Sequence, residues 1–174
     1  MFRLDTMTVC GTHEIDFAYD DDSLLTGAGD LSLGRDPATG LVTGTTLGDV
    51  TTSSSYNGFG ELSSHTASYT GVPVFEQTFV RDDIGRIVQK TETVDGATTI
   101  YDYVYDTAGR LHEVWQDGVK VSTYDYDPNS NRAAYTDRYG TVTTGTYDDQ
   151  DRMLAYGDAT YTYTENGELS TRTA

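Results

Sequence analysis

The chain has 174 residues, only 36% of them hydrophobic, and its 28 acidic against 11 basic side chains leave a formal net charge of −17. Phosphate binding needs cations that release counterions, so this balance argues against nucleic acid and against anionic membrane surfaces as partners. Fourteen tyrosines, eighteen glycines and abundant threonine favour strands joined by turns; no window carries a helical 3.6-residue period, and no apolar run of 18 residues is present to span a bilayer as a helix.

Residues 1–16 alternate loosely through Phe2, Leu4, Val9 and Ile15 and predict an imperfect first hairpin that turns near Cys10-Gly11-Thr12. Met1 to Asp16 lacks the apolar centre of a signal peptide, and the lone Cys10 has no partner for an internal disulfide. Residues 17–50 carry weak copies of a motif, Tyr19-Asp20-Asp21-Asp22-Ser23-Leu24-Leu25 and Arg35-Asp36-Pro37-Ala38-Thr39-Gly40-Leu41, and Tyr56-Asn57-Gly58-Phe59-Gly60-Glu61-Leu62 follows. From residue 79 the motif is regular: Arg81-Asp82-Asp83-Ile84-Gly85-Arg86-Ile87, then Tyr105-Asp106-Thr107-Ala108-Gly109-Arg110-Leu111, then frames beginning at Tyr126, Tyr147 and Tyr163. Successive anchors stand 16, 21, 25, 24, 21, 21 and 16 residues apart. The expected organisation is one repeat array over 1–174, degenerate over 1–78 and regular over 79–169, with no compositional boundary. Residues 169–174 read as a strand that stops without a partner, which together with the missing signal suggests a piece of a larger protein.

The best copy shows what each position does. Tyr103 and Tyr105 are two apart, so both rings project from the same face of a strand. Asp106 opens a turn because its short carboxylate can accept a hydrogen bond from the backbone two residues on. Gly109 closes it where a positive φ costs glycine little, Arg110 follows, and Leu111 begins the return strand. An aromatic stands two before the anchor at Phe17, Phe79, Tyr103, Tyr124 and Tyr161, and is missing before Arg35, Tyr56 and Tyr147. Between anchors a second turn recurs at Thr70-Gly71, Asp95-Gly96, Asp117-Gly118, Tyr139-Gly140 and Gly157-Asp158, and Asp-Gly between alternating residues is a strong hairpin signal. Each unit is therefore two antiparallel strands and two turns. The positions expected to build the repeat are Tyr19, Tyr56, Tyr103, Tyr105, Asp106, Gly109, Arg110, Leu111, Tyr124, Tyr126, Asp127, Tyr147, Asp148, Tyr161, Tyr163 and Gly167.

This frame resembles the YD-repeat, or Rhs-repeat, family, which includes bacterial Rhs toxins, the C components of insecticidal toxin complexes and teneurins. Tyr105 to Leu111 is close to the family's Tyr-Asp-x-x-Gly-Arg-Leu signature, and the frames at Tyr126 and Arg81 come next. The resemblance implies an all-β fold in which consecutive antiparallel hairpins lie side by side in one long curling sheet, an arc or turn of a hollow shell. Eight units predict sixteen strands. It implies tyrosine rings stacked between neighbouring hairpins on the inner face. It also implies a non-catalytic wall segment of a secreted or surface-exposed parent, whose shell encloses a toxin or other cargo domain. The partners would be neighbouring repeats, the cargo, and other copies through unpaired edge strands. The alternative is a cell-surface adhesion or carbohydrate-binding module, since aromatic rings can also stack on sugars.

Other candidate chemistry fails on its own terms. Asp36-Pro37 sits early in the chain, with no second carboxylate-bearing copy to complete an aspartyl site, and predicts a Pro-containing turn. Asp125, Asp127, Asn129 and Asn131 alternate like calcium ligands, but Arg132 and Arg138 stand where a calcium loop of that type needs Gly and Glu. Asp127 and Asn129 therefore predict side-chain-bonded turns. His13, His65 and His112 are too scattered for zinc, Ser53 to Ser55 suggest strand or turn residues, and the glycines are spread one per turn. No catalytic residue, cofactor or metal is expected.

Overall fold

The computed structural model describes residues 3–173, so Met1, Phe2 and Ala174 of the expected first and last strands lie outside the described residues. Seventeen β-strands and no helix occur among the described residues, and every strand pair with a stated register is antiparallel. The chain divides into two compact units, Met1–Thr99 and Ile100–Ala174.

The first unit holds β1 (Thr6–Val9), β2 (His13–Tyr19), β3 (Leu25–Ala28), β4 (Leu31–Arg35), β5 (Val42–Leu47), β6 (Val50–Tyr56), β7 (Leu62–Tyr69), β8 (Val72–Arg81) and β9 (Ile87–Val94). β10 (Ala97–Tyr105) runs through the boundary. The second unit continues with β11 (Leu111–Gln116), β12 (Val119–Tyr126), β13 (Arg132–Asp137), β14 (Val142–Tyr147), β15 (Met153–Tyr156), β16 (Ala159–Tyr163) and β17 (Leu169–Thr173). The strand beyond the expected sixteen is β1, which forms the predicted first hairpin with β2. The final strand is paired, along β16, contrary to the expectation that it stops without a partner.

Within each unit the order in space follows the order in sequence, because each connection is a short turn. The two kinds of turn alternate, so the anchor turns share one edge of the unit and the tight turns the other. Asp117-Gly118, Asp95-Gly96 and Thr70-Gly71 have both φ values positive, as a type I′ turn demands. Gly29 and Gly48 are positive at the first of two central residues, the pattern of type II′. Tyr139-Gly140 does not fit this class. It lies inside a longer turn opened by Asp137, whose Oδ1 accepts from the Tyr139 and Thr141 amides at 2.8 and 2.9 Å. An anchor-type turn thus stands on the opposite edge, where residue spacing alone suggested a two-residue loop.

The side chains divide by strand parity. In the second unit the registers Tyr103↔Val114, Val114↔Ser122, Tyr124↔Tyr135, Tyr135↔Thr143, Gly145↔Tyr156 and Tyr156↔Ala159 place the tyrosines of β10 and β12 to β16 on one face. The other face carries Val104, Glu113, Thr123, Thr136 and Val142 in one row. No second layer covers either face among the described residues. Ala159 is the one buried hydrophobic residue described, at 6% exposure, and the strand tyrosines of the second unit are half-buried by neighbours in the same sheet. A fold without a closed core draws its stability from contacts along the sheet, as linear repeat proteins do.

Candidate functional site: the interlocked repeat turns

The turn at Asp106 is built by one carboxylate. Its Oδ1 accepts from the Ala108 and Arg110 amides, both at 2.9 Å, and its Oδ2 accepts from Arg110 Nε at 2.7 Å. Gly109 N donates to Asp106 O at 3.0 Å, and Asp106 N to Arg110 O at 2.8 Å. Gly109 has φ 82°, the left-handed conformation that follows a type I turn in three-residue hairpins. Asp148 repeats this with Gln150, Arg152 and Asp151, and Asp82 with Ile84, Arg86 and Gly85. The Arg110 amide first, then the guanidinium, holds the Asp106 carboxyl below its usual range, and the Arg152 amide does the same for Asp148.

Asp127 keeps the geometry with different partners. Its Oδ1 accepts from the Asn129 and Asn131 amides, and Asn131 Nδ2 replaces the guanidinium at 3.1 Å. At Asn57 the polarity is reversed: Asn57 Oδ1 accepts from the Phe59 and Glu61 amides while Asn57 Nδ2 donates to Glu61 Oε2 at 2.7 Å. Asp36 sits in the predicted Pro-containing turn, one residue longer, with Oδ1 accepting from Ala38, Thr39 and the Thr39 hydroxyl. In the last frame Thr164 opens the turn, and Gly167, at φ 86°, donates to its carbonyl at 2.9 Å.

The anchors join one repeat to the one before. Tyr126 donates its hydroxyl to Leu111 O at 2.8 Å, Tyr147 to Arg132 O at 3.1 Å and Tyr163 to Met153 O at 2.8 Å. In the first unit Tyr56 donates to Val42 O at 2.7 Å and Tyr19 to Leu4 O at 3.0 Å. Apart from Leu4, each acceptor opens the return strand after the preceding anchor turn. Arginine anchors do the same work: Arg35 Nε donates to Leu25 O at 2.9 Å and Arg81 Nη2 to Leu62 O at 3.4 Å. Burial first, and the Asp106 charge after it, pushes the Tyr126 phenol up; burial likewise leads for Tyr147.

The arginines and the left-handed turn residues complete the links. Arg110 lies 4.5 Å above the Tyr126 ring, and Arg152 lies 5.0 Å above that of Tyr163. Arg110 Nη1 also reaches Asp127 O at 3.2 Å and Ser130 Oγ at 3.1 Å. Asn129 and Asn131 both donate to Asp151 Oδ1, at 3.0 and 2.7 Å. Ser130 and Asp151 have φ 72° and 60° where Gly109 stands in its frame. The departures from glycine thus supply acceptors that tie each turn to the one before it.

Of the expected repeat positions, the structure brings Asp106, Gly109, Arg110, Leu111, Tyr126, Asp127, Tyr147, Asp148 and Tyr163 into this connected row. Tyr19 and Tyr56 make the equivalent bonds in the first unit. Tyr103 and Tyr105 are half-buried on the tyrosine face, and Tyr161 faces Arg172 across β17. Rings stacked between neighbouring hairpins were expected; the tyrosine pair that lies close, Tyr124 and Tyr135 at 5.3 Å and tilted by 35°, instead joins the two strands of one hairpin, β12 and β13, and the anchors reach the preceding repeat through their hydroxyls. Asn129 caps no turn of its own; its side chain serves Asp151. Sequence reading missed Asp137, Asn57 with Glu61, and the tyrosine-like role of Arg35 and Arg81.

A register shift precedes every anchor, between Val104 and Tyr105, Asp125 and Tyr126, Thr146 and Tyr147, Thr162 and Tyr163, and likewise before Tyr19, Arg35, Tyr56 and Arg81. Such a bulge re-aims a side chain and increases local twist.

Antiparallel hairpins repeated along one chain, with turns clasped by a carboxylate or its substitute and anchors bonded to the preceding repeat, define a β-hairpin repeat protein. The Teneurin YD-shell family model matches residues 3–174, and the chain belongs to that family. It is 32% identical over 102 residues to Teneurin-4 of Homo sapiens, and equally to that of Mus musculus, covering 57% of this chain and 4% of each relative. Its fold is similar to chains in the crystal structures of TcdB2-TccC3-Cdc42, with TM-score 0.69 and 16% identity over 96% of this chain, and of TcdB2-TccC3 without the hypervariable C-terminal region, with TM-score 0.72 and 13% identity over 90%. In both cases it spans 10% of the solved chain.

Proposed function

We propose that the segment is a non-catalytic stretch of shell wall, one of many hairpin repeats that enclose a polypeptide cargo in a secreted or cell-surface parent. The observation that carries this reading is the series of anchor and turn bonds within each unit, by which one repeat supports the next. Such a wall resists opening without needing a core of its own. The comparison structures support it, because their chains are about tenfold longer and contain this fold as a part. Enclosure would act by separation: a folded or unfolded cargo inside is kept from protease and from targets outside.

The test is limited proteolysis of the product of the whole reading frame, with mass spectrometry of the fragments. An enclosed segment is expected to survive while the wall is intact and to be cut once paired substitutions such as Tyr126→Phe with Tyr147→Phe loosen it. Equal cleavage in both proteins would reject enclosure. The match to teneurin favours a second reading, a surface recognition module. Binding to a glycan array that is lost on substitution of Trp115, which lies on the face opposite the tyrosines, would select it.

A further inference from the structure

In six anchor turns the third residue donates its amide to the turn-opening side chain and stands at the exposed tip of the turn. The geometry asks nothing apolar of it: Ala108, Asn129 and Gln150 fill it in three turns of the same form. Two successive turns of the first unit depart from this. Phe59 is 92% exposed and Ile84 75% exposed, although their amides make the usual bonds to Asn57 and Asp82 at 2.9 and 3.1 Å. Between these turns runs a groove of about 520 Å³ lined by Phe59, Phe79, Val80, Glu61, Asp82 and Asp83, among others. Val80, on the wall of the groove, is 53% exposed. The cation that lines it, Arg81, is used internally by Gly85 O at 2.9 Å, Leu62 O at 3.4 Å and Glu61 at 3.6 Å. Asp82 is held by Arg86, whereas Asp83 makes no ion pair among the described residues.

Exposed apolar groups clustered at an edge mark interaction sites, and aromatic anchors dominate the affinity of such sites. A groove open to solvent cannot bury most of a small ligand, as small-molecule sites do, but it suits an extended chain lying across two turns. Its acidic rim, in a chain of net charge −17, selects the sign of that chain by steering and complementarity. We propose that the groove lined by Phe59 and Val80, with the exposed Ile84 next in sequence to its lining residue Asp83, is a docking site for an extended peptide segment of another protein, one carrying apolar side chains flanked by lysine or arginine. The groove serves in this way whether or not the parent encloses a cargo.

The probe is a pair of fluorescein-labelled peptides, Gly-Arg-Leu-Phe-Arg-Gly and Gly-Glu-Leu-Phe-Glu-Gly, titrated against the whole chain by fluorescence anisotropy. The basic peptide is expected to bind at least tenfold more tightly than the acidic one, and to lose at least tenfold on Phe59→Ser with Ile84→Ser. Both substituted side chains lie in solvent, so the melting temperature should hold. Asp83→Asn, which leaves the apolar groups in place, should weaken only the basic peptide. Equal affinity for the two peptides, or unchanged binding by the double variant, would overturn the proposal. So would a wild-type dimer that the double variant abolishes in sedimentation, since the occupant would then be a second copy of this chain.

Discussion

At the scale of single residues, the repeat depends on polar atoms that reach main chain in another repeat. Tyr126→Phe keeps the ring under Arg110 and removes only the bond to Leu111 O. The expected loss is about 0.5–1.5 kcal/mol in urea melts, the usual net worth of such a bond, and a neutral result would mean that water replaces the hydroxyl freely. Gly109→Val places a β-branched residue at φ 82° and should cost about 1–3 kcal/mol by backbone strain. The reversed clasp offers a sharper test. Asn57→Asp would set a carboxylate against Glu61, now bonded to Asn57 Nδ2 at 2.7 Å, and should lower the melting temperature. Adding Glu61→Arg rebuilds the Asp–Arg clasp seen at Asp106 and Arg110, so the double variant should melt above Asn57→Asp alone. Additive losses would show that the clasp polarity is set by Arg81 rather than by the turn.

At the scale of the element, the unit of construction is a turn, a bulge and an anchor bond, and the three must stay in phase. Removing residues 106–126 joins Tyr105 to Asp127 and deletes β11 and β12 with their turns, while the bond from Tyr147 to Arg132 O survives. Nearest-neighbour stabilisation then predicts a folded chain with a modest loss. Removing 106–125 instead leaves Tyr105 followed by Tyr126 and offsets the strand by one residue. That offset turns side chains to the wrong face, or it forces a second bulge where one already precedes Tyr105. The 20-residue deletion should therefore melt well below the 21-residue one although it removes less. Equal melting temperatures would mean that the spacing carries no structural phase.

At the scale of the whole molecule, the titrating groups define a pH window. Asp106, Asp137 and Asp148 lie below the ordinary value of 3.8, led by amide bonds from Arg110, Thr141 and Arg152. Their contribution is present above that value and is lost as the pH falls below it. Tyr126 and Tyr147 lie above 10.0, mainly through burial, so their contribution is present below pH 10 and is lost as the pH rises further. Thermal melts should be level between about pH 4 and 10 and fall on both sides; an acid limb absent down to about pH 2 would show that the clasps do not stabilise the fold. Strand edges with unpaired backbone invite pairing between copies, and the charge of −17 opposes it. Added salt screens that repulsion, so light scattering should show association rising with salt, and a monomer at every salt concentration would refute it.

The residue order by itself determined the class of fold, the places of the eight anchors and the alternation of two turn types, because these follow from period-two patterning and from turn chemistry within a few residues. It also placed Gly109 at a positive φ and Asp106 and Asp127 at the head of their turns. Only the tertiary structure decided that arginine and tyrosine anchors are equivalent, since the shared acceptor lies 10 to 19 residues away in the preceding repeat. It likewise decided that Ser130 and Asp151 take left-handed backbone to meet donors 20 to 22 residues distant. The bulges before each anchor and the extra turn at Asp137 were hidden for the same reason. A local motif states which groups can bond, and the pairing of strands sets which of them come within reach.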